Sequence, residues 1–328
     1  MQKLNIKNLS TFHQCILSWY EKNGRKNLPW RNKSANNRAY RVLISEIMLQ
    51  QTQVKSVLEK HYFPFLQKFP TLKALSKASE EEVLNAWIGL GYYTRARNLF
   101  KLSQITQNLP CEKNELLKLP GIGAYSAGAV ACFGFNKAVS FVDSNIKRLL
   151  CRIFALYNPS QKILEQKAEF ILNKQEPFSH NQALLDLGAL ICTSKKAKCE
   201  SCPISSFCQG KENPLNFPLK KQNLKENKDL FLGIFIKDSK IALEKSQNKL
   251  YFNLYNFPLL EKKGVKLLGT LKHNYTKYNL LLHIFLLKDS KKLSKNIEFF
   301  TKDSLKKLPT SAMTLKVLKF LQNQGIFI

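Results

Sequence analysis

The chain has 328 residues, 44% of them hydrophobic and 23% charged, which suits two or three domains with cores of their own and excludes both a solitary small module and a disordered chain. Its 52 basic side chains against 23 acidic ones give a formal net charge of +29, more than a small acidic metabolite requires and appropriate to a long polyanion such as DNA or RNA. No signal-like opening and no run of 18 apolar residues is present, so a cytoplasmic, nucleoid-associated protein without membrane contact is expected, its eight cysteines serving as thiols or metal ligands and not as disulfides.

The charge is shared. Residues 1–210 carry 29 basic and 14 acidic side chains, and residues 211–328 carry 23 and 9. A lysine-rich source composition is the alternative reading, since only eight of the 52 basic residues are arginine. All eight arginines lie between Arg25 and Arg152, which places bidentate recognition early in the chain.

From about residue 10 to 207 apolar residues recur at three and four spacing, with helix boundaries at Pro29, Pro64, Pro70, Pro110, Pro120, Pro159 and Pro177. Within Val42–Leu49, Glu46 is the one charge in an apolar helix, so burial should raise its pKa and keep it protonated near neutrality; the plain reading is a residue on a helix surface. Gln50 and Gln51, just beyond, can hydrogen-bond base edges or wedge into a duplex. Leu90–Arg97 offers Tyr92 and Tyr93 as stacking rings beside Arg95 and Arg97 as phosphate-seeking cations, although such an aromatic pair is more often core.

Leu119–Gly128 lies between apolar helices read as Leu116–Leu119 and Tyr125–Phe133. Gly121 and Gly123 permit a tight turn that brings backbone N–H groups to a phosphate, a helix-hairpin-helix; an ordinary helical connection looks the same. Asp143, in Phe141–Asn145, precedes a helix from Ile146 to Phe154 and should stay ionised at its positive end, or simply cap it. A neutral acid and a carboxylate in oppositely tuned environments are what glycosidic cleavage needs: one protonates the leaving group, the other faces the oxocarbenium-like sugar.

Cys192, Cys199, Cys202 and Cys208 follow the spacing C-x6-C-x2-C-x5-C and can satisfy one tetrahedral metal, zinc, or one iron–sulfur cube. Held rigidly by the metal, Lys195, Lys196 and Lys198 could meet phosphate. The other four cysteines, Cys15, Cys111, Cys132 and Cys151, read as buried small hydrophobes on helical faces. These features divide the chain into a helical domain at 1–212, a charged linker at 213–229 and a smaller α+β domain at 230–328. The last has strand-like runs at Leu230–Ile236, Ile241–Leu243, Leu250–Phe252 and Leu280–Leu287, and a final helix capped by Ser311 and running to about Leu321.

Together, Glu46–Thr52, Gly89–Tyr93, Leu119–Gly128, Asp143–Asn145 and the four cysteines resemble the MutY-type adenine DNA glycosylases of the helix-hairpin-helix, iron–sulfur superfamily, over about residues 10–210. The resemblance implies a mainly α glycosylase domain with one [4Fe-4S] cluster on the cysteines and a Nudix-like C-terminal domain that reads 8-oxoguanine. It implies a monomeric, monofunctional enzyme that flips adenine out of an A:8-oxoguanine or A:G mispair in double-stranded DNA, in base excision repair. Residue by residue, Glu46 would protonate adenine N7 and Asp143 would stabilise the sugar cation. Tyr125 and Asn145 would support these steps, and Gln50 and Tyr92 would invade the duplex. The endonuclease III-type glycosylases for oxidised pyrimidines are similar through hairpin and cysteines but carry a lysine, for Schiff-base strand cleavage, where this chain has Tyr125. A catalytically silent iron–sulfur DNA-binding protein is the third reading. In the C-terminal domain Leu254–Pro258 and His273–Lys277 match more faintly; Tyr275, Thr276 and Lys277 replace the usual Phe-Ser-His, and the short Leu259–Lys272 stretch lacks the glutamate-rich helix of Nudix hydrolases, so pyrophosphatase activity is not expected. Ser144, where glycine is common, and Ala124 are further departures.

Overall fold

The computed structural model describes residues 4–219, 225–247, 251–252, 254–261, 266–275, 278–289, 293, 296–305 and 308–326. They form two compact units, Met1–Glu80 with Thr94–Lys220, and Glu81–Tyr93 with Lys221–Ile328. Among the described residues no helix is long and apolar enough to cross a membrane.

The first unit is helical. Its helices are α1 Leu9–Asn23, α2 Arg38–Leu49, α3 Val54–Lys60, α4 Tyr62–Lys68 and α5 Leu72–Ser76. After α6 Glu80–Ala86, which leads into the second unit, come α7 Thr94–Ile105, α8 Lys113–Leu116, α9 Ala124–Ala129, α10 Ser144–Ile153, α11 Gln161–Phe170 and α12 Pro177–Asp186. Helix α2 is the centre of this unit: seven consecutive residues from Val42 to Met48 are buried, Glu46 included. It packs on α9 and on the π-helical continuation Val130–Gly134, while α1 buries Phe12, Ile16 and Tyr20 and pairs with α12. The helix starts are fixed by side chains. Thr71, Asp143 and Ser160 accept from the backbone N–H three residues on, each cap stabilising its helix by about 1 kcal/mol.

A buried ion pair ties the start of this unit to its end. Asp186, fully buried, accepts from Arg31 Nη1 and Nη2 at 2.7 and 2.9 Å and from the Arg25 backbone N–H and Nε at 2.8 and 2.7 Å. Burial alone would raise the Asp186 pKa, but the two guanidinium groups outweigh it and hold the carboxyl below its ordinary range. Removing the Asp186 carboxylate would leave the Arg31 cation buried without a counter-charge, at a cost of about 3–5 kcal/mol.

The smaller unit holds the strands. They are β1 Glu226–Ile234, β2 Ile236–Lys237, β3 Lys240–Lys245, β4 Tyr255–Asn256, β5 Lys266–Tyr275, β6 Tyr278–Leu286 and β7 Ile297–Phe300, with helices α13 Lys302–Leu305 and α14 Ala312–Asn323. One sheet runs β1-β6-β5, with β1 parallel to β6 and β5 antiparallel to it; in the other β3 pairs with β2, β4 and β7. Ser311 caps α14 through the Thr314 N–H at 3.1 Å.

Several expected boundaries move. Strand β1 begins at Glu226, inside the expected linker, because its first four residues are polar and exposed and the apolar signal starts only at Leu230. The 3-10 turn Pro214–Asn216 also lies in that stretch. Tyr251 and Phe252 form a turn, not a strand, with Tyr251 left-handed at φ 63°, and Leu250 lies outside the described residues. Pro64 sits in the first turn of α4, where its missing N–H costs nothing, and does not mark a boundary. The apolar stretch read as Leu116–Leu119 is the end of α8 and a turn, and the one read as Tyr125–Phe133 is α9 with its π continuation. Cys132 and Cys151 are buried as expected; Cys15 and Cys111 are only partly so, and Cys111 lies in the bend before α8 beside Glu112.

Candidate active site

Three elements of the first unit meet around Tyr125, in the first turn of α9. Its hydroxyl donates to Glu46 Oε2 at 2.5 Å, and its ring packs edge-on against Phe141 at 5.5 Å. Glu46 is 6% exposed. Burial pushes its pKa from 4.5 up to about 7, against the lowering effect of the Tyr125 hydrogen bond; the Asp143 charge raises it further and Arg31 lowers it. Burial and the Glu46 carboxylate together lift the Tyr125 pKa well above its ordinary value, so the phenol keeps its proton as donor. A carboxyl that titrates near neutrality and stands close enough to a second carboxylate to feel it can act as a general acid.

Asp143 is the N-cap of α10, as the plain reading of the sequence has it: Oδ1 accepts from the Ile146 N–H at 2.6 Å. Its other oxygen accepts from Asn145 Nδ2 at 2.9 Å. Asn145 Oδ1 in turn accepts from Arg148 Nη2 at 2.9 Å, and Arg148 also donates to the carbonyls of Gly188 and Cys192, at 2.6 and 2.7 Å. The approach is close because position 188 is glycine. A Cβ there would lie 2.7 Å from the Asn145 Cβ.

The chain from Asp143 therefore ends at the cysteine loop. Cys192, Cys199, Cys202 and Cys208 line one cavity with Leu149, Ile153, Ile191 and Ile204. Arg152 Nη1 donates to Cys192 Sγ at 3.2 Å and to the Thr193 carbonyl at 2.8 Å. Burial pushes the Cys202 and Cys208 thiols up to about 12 and 11. Among the described residues no group of three or more His, Cys, Asp or Glu side chains is arranged to hold a single metal ion. Four thiols lining one cavity are a donor set of the chemistry that an iron–sulfur cluster takes. Lys195, Lys196 and Lys198 are all exposed on the loop between the first two cysteines.

In the hairpin, Gly121 is left-handed at φ 77°, and a Cβ there would strike Asn98 at 2.6 Å, so glycine is required. Gly123 departs from expectation. Its backbone, φ −90° and ψ 176°, is open to any residue and a Cβ would meet nothing within 4 Å, so the turn itself does not need it. Gln50 is half-buried, its amide donating to Ser126 Oγ at 3.4 Å, and Gln51 is exposed with a left-handed backbone at φ 57°.

Arg95 is placed differently from its expected role. Its guanidinium turns inward, onto the carbonyls of Ile47, Met48 and Gln50. Tyr92 belongs to the second unit, where it is 46% exposed and left-handed at φ 49°. Tyr275 pairs with Tyr278 in the β5–β6 ladder; Thr276 and Lys277 lie outside the described residues.

The sequence reading passed over Arg31, which reaches Glu46 electrostatically, its partner Asp186, and Arg148 and Arg152. The signal was the arginine distribution. All eight arginines are buried or half-buried and donate to protein acceptors, Arg38 to the Phe133 carbonyl, Arg41 to the Asn36 carbonyl and Arg97 to Glu80 among them. No described lysine is buried.

Residues 44–174 match the HhH-GPD superfamily of base excision DNA repair proteins. The adenine DNA glycosylase of Buchnera aphidicola subsp. Baizongia pistaciae is 40% identical over 281 residues, covering 81% of this chain and 78% of the relative. The human adenine DNA glycosylase is 37% identical over 224 residues, covering 63% and 41%. Among solved structures a thermostable thymine-DNA glycosylase superposes with a TM-score of 0.58 at 29% identity, over 63% of this chain and 97% of that one. An endonuclease III–DNA complex, at 21% identity and a TM-score of 0.53, shares the fold. Helical scaffold, buried acid and sequence kinship converge, and the chain belongs to the adenine DNA glycosylase family of the HhH-GPD superfamily.

Proposed function

We propose that the protein is a monofunctional glycosylase that removes adenine opposite 8-oxoguanine, or guanine, from double-stranded DNA. The observation that carries this reading is the buried Glu46, held by Tyr125 and close to Asp143, with a pKa of about 7. After the base is flipped out, Glu46 gives its proton to adenine N7. The C1′–N9 bond breaks with its electron pair leaving on the base, and the Asp143 carboxylate faces the sugar cation. Water adds at C1′ and its proton passes to Asp143. Asn145 holds one Asp143 oxygen and the α10 backbone the other, which fixes the carboxylate for this task.

Tyr125 supports hydrolysis over lyase chemistry. A phenol bonded to Glu46 offers no amine for a Schiff base with the sugar, which is what the endonuclease III-type alternative requires. Cys192, Cys199, Cys202 and Cys208 would hold one [4Fe-4S] cluster. When bound, the cluster supplies rigidity to the 192–208 loop, which presents Lys195, Lys196 and Lys198 to phosphate. The open space beside Gly123 suits close approach of a second phosphate to the hairpin backbone. The C-terminal unit, with the segment around Tyr275, would read the base opposite the adenine, and the working form is the monomer in the bacterial nucleoid.

The test is incubation with a duplex carrying adenine opposite 8-oxoguanine, with and without alkali. Strand breaks that appear only after alkali support the reading. Breaks without alkali point to a lyase, and an intact duplex in both arms points to a binding protein without activity.

A further inference from the structure

We propose that Arg95 is a positioning residue for the glycosylase centre, a clamp on the C-terminal end of α2, and not a contact to DNA phosphate. The inference rests on the functional reading above.

Helix α2 ends at Leu49. The backbone leaves the helix at Gln50, with φ −57° and ψ 113°, and turns left-handed at Gln51 with φ 57°, a conformation a residue with a Cβ adopts only when its surroundings hold it there. The last carbonyls of a helix have no partner within it. Arg95 supplies one. Its Nη1 lies 2.8 Å from the Ile47 carbonyl, 3.1 Å from that of Met48 and 2.5 Å from that of Gln50, and its Nη2 is 3.4 Å from Thr52 Oγ1. The cation also stands at the negative end of the α2 dipole.

Glu46 directly precedes the first of these carbonyls, and Gln51 lies between the last of them and Thr52. One guanidinium therefore sets two things together: the turn of α2 that presents the acid to Tyr125, and the left-handed step that carries Gln50 and Gln51 outward. An ammonium is a point charge on a flexible stem and does not span the same set of acceptors. Arg95 is supplied by α7, which makes the α2–α7 junction, and not DNA, the recipient of its hydrogen bonds.

The experiment compares the full-length wild type with Arg95→Ala and Arg95→Lys. It measures single-turnover excision of adenine opposite 8-oxoguanine per active site, binding to an undamaged duplex as a function of salt, and amide exchange across Ile47–Thr52. The Ala variant should lose about 10- to 100-fold in excision rate, the scale of a misplaced reacting group. The Lys variant, which keeps the charge and is the milder change to folding, should regain only part of that loss. The salt slope of duplex binding should match the wild type, and exchange should quicken at Ile47–Thr52 while the α9 amides stay protected. A normal excision rate per active site, with a salt slope smaller by about one, would make Arg95 a phosphate contact and overturn the proposal. Unchanged amide exchange would overturn it too. Failure of the wild type to excise adenine would sink the functional reading instead, and exchange at Ile47–Thr52 would still decide the clamp.

Discussion

The Tyr125 hydroxyl and the Glu46 carboxyl are joined by a 2.5 Å hydrogen bond inside the protein. Burial, opposed by this bond, makes Glu46 an acid that loses its proton at about pH 7, where an exposed glutamate has long been ionised. Excision should therefore fall as pH rises through about 7. Stability follows the same group with its own sign. The folded pKa is raised above the unfolded 4.5, so the contribution of Glu46 is fully present below pH 4.5 and is lost as pH rises through about 7, by on the order of 3 kcal/mol. Glu46→Gln should abolish excision, leave duplex binding intact and raise the melting temperature at pH 8. Excision retained in this variant would remove Glu46 from the acid role.

Asp143 caps α10 and, in the proposed mechanism, faces the sugar cation; these duties can be separated. Asparagine caps a helix about as well as aspartate. Asp143→Asn should keep stability within about 0.5 kcal/mol of wild type while excision drops by about 100-fold or more. An excision rate near wild type would leave Asp143 as a cap alone.

Cys199→Ser should lose bound iron and the visible absorbance of an iron–sulfur cluster, and should bind duplex more weakly because the loop carrying Lys195, Lys196 and Lys198 loses its anchor. Wild-type protein that is colourless and carries zinc would contradict the cofactor assignment.

His180, on α12, is fully buried with its ring edge-on to His13 of α1 at 5.3 Å, and among the described residues neither ring nitrogen has a hydrogen-bond partner. Burial first, and His13 second, lowers its pKa from 6.5 to about 3. The unfolded chain takes up this proton below pH 6.5 and the folded one resists it, so stability is lost as pH falls from 6.5 toward 3, by up to about 5 kcal/mol. His180→Leu should flatten that acid limb and raise stability at neutral pH, because it removes two unpaired polar atoms. Calorimetry between pH 4 and pH 7 checks this, and an unchanged acid limb would assign it to other groups.

What could be read from the sequence was local. Glu46 stands out because its neighbours on both sides are apolar, the cysteines because their spacing is close, and Asp143 because it precedes a helix. What could not be read depends on partners far away in the chain. Asp186 finds Arg31 across 155 residues, and Arg148 reaches Cys192 across 44. Nothing in the periodicity says whether Arg95 faces DNA or the end of α2. The sequence pattern marks only the second half of β1, because a strand's exposed polar half has no hydrophobic alternation to announce it.

Because every guanidinium in this chain is committed to the protein's own carbonyls, carboxylates or thiols, the exterior is a coat of primary amines. The two cationic chemistries are thereby separated by location. Mild acylation of amines should strip the molecule of its hold on nucleic acid while leaving its scaffold standing. A dicarbonyl reagent selective for guanidinium should find little to react with until the helices come apart, and would then report unfolding.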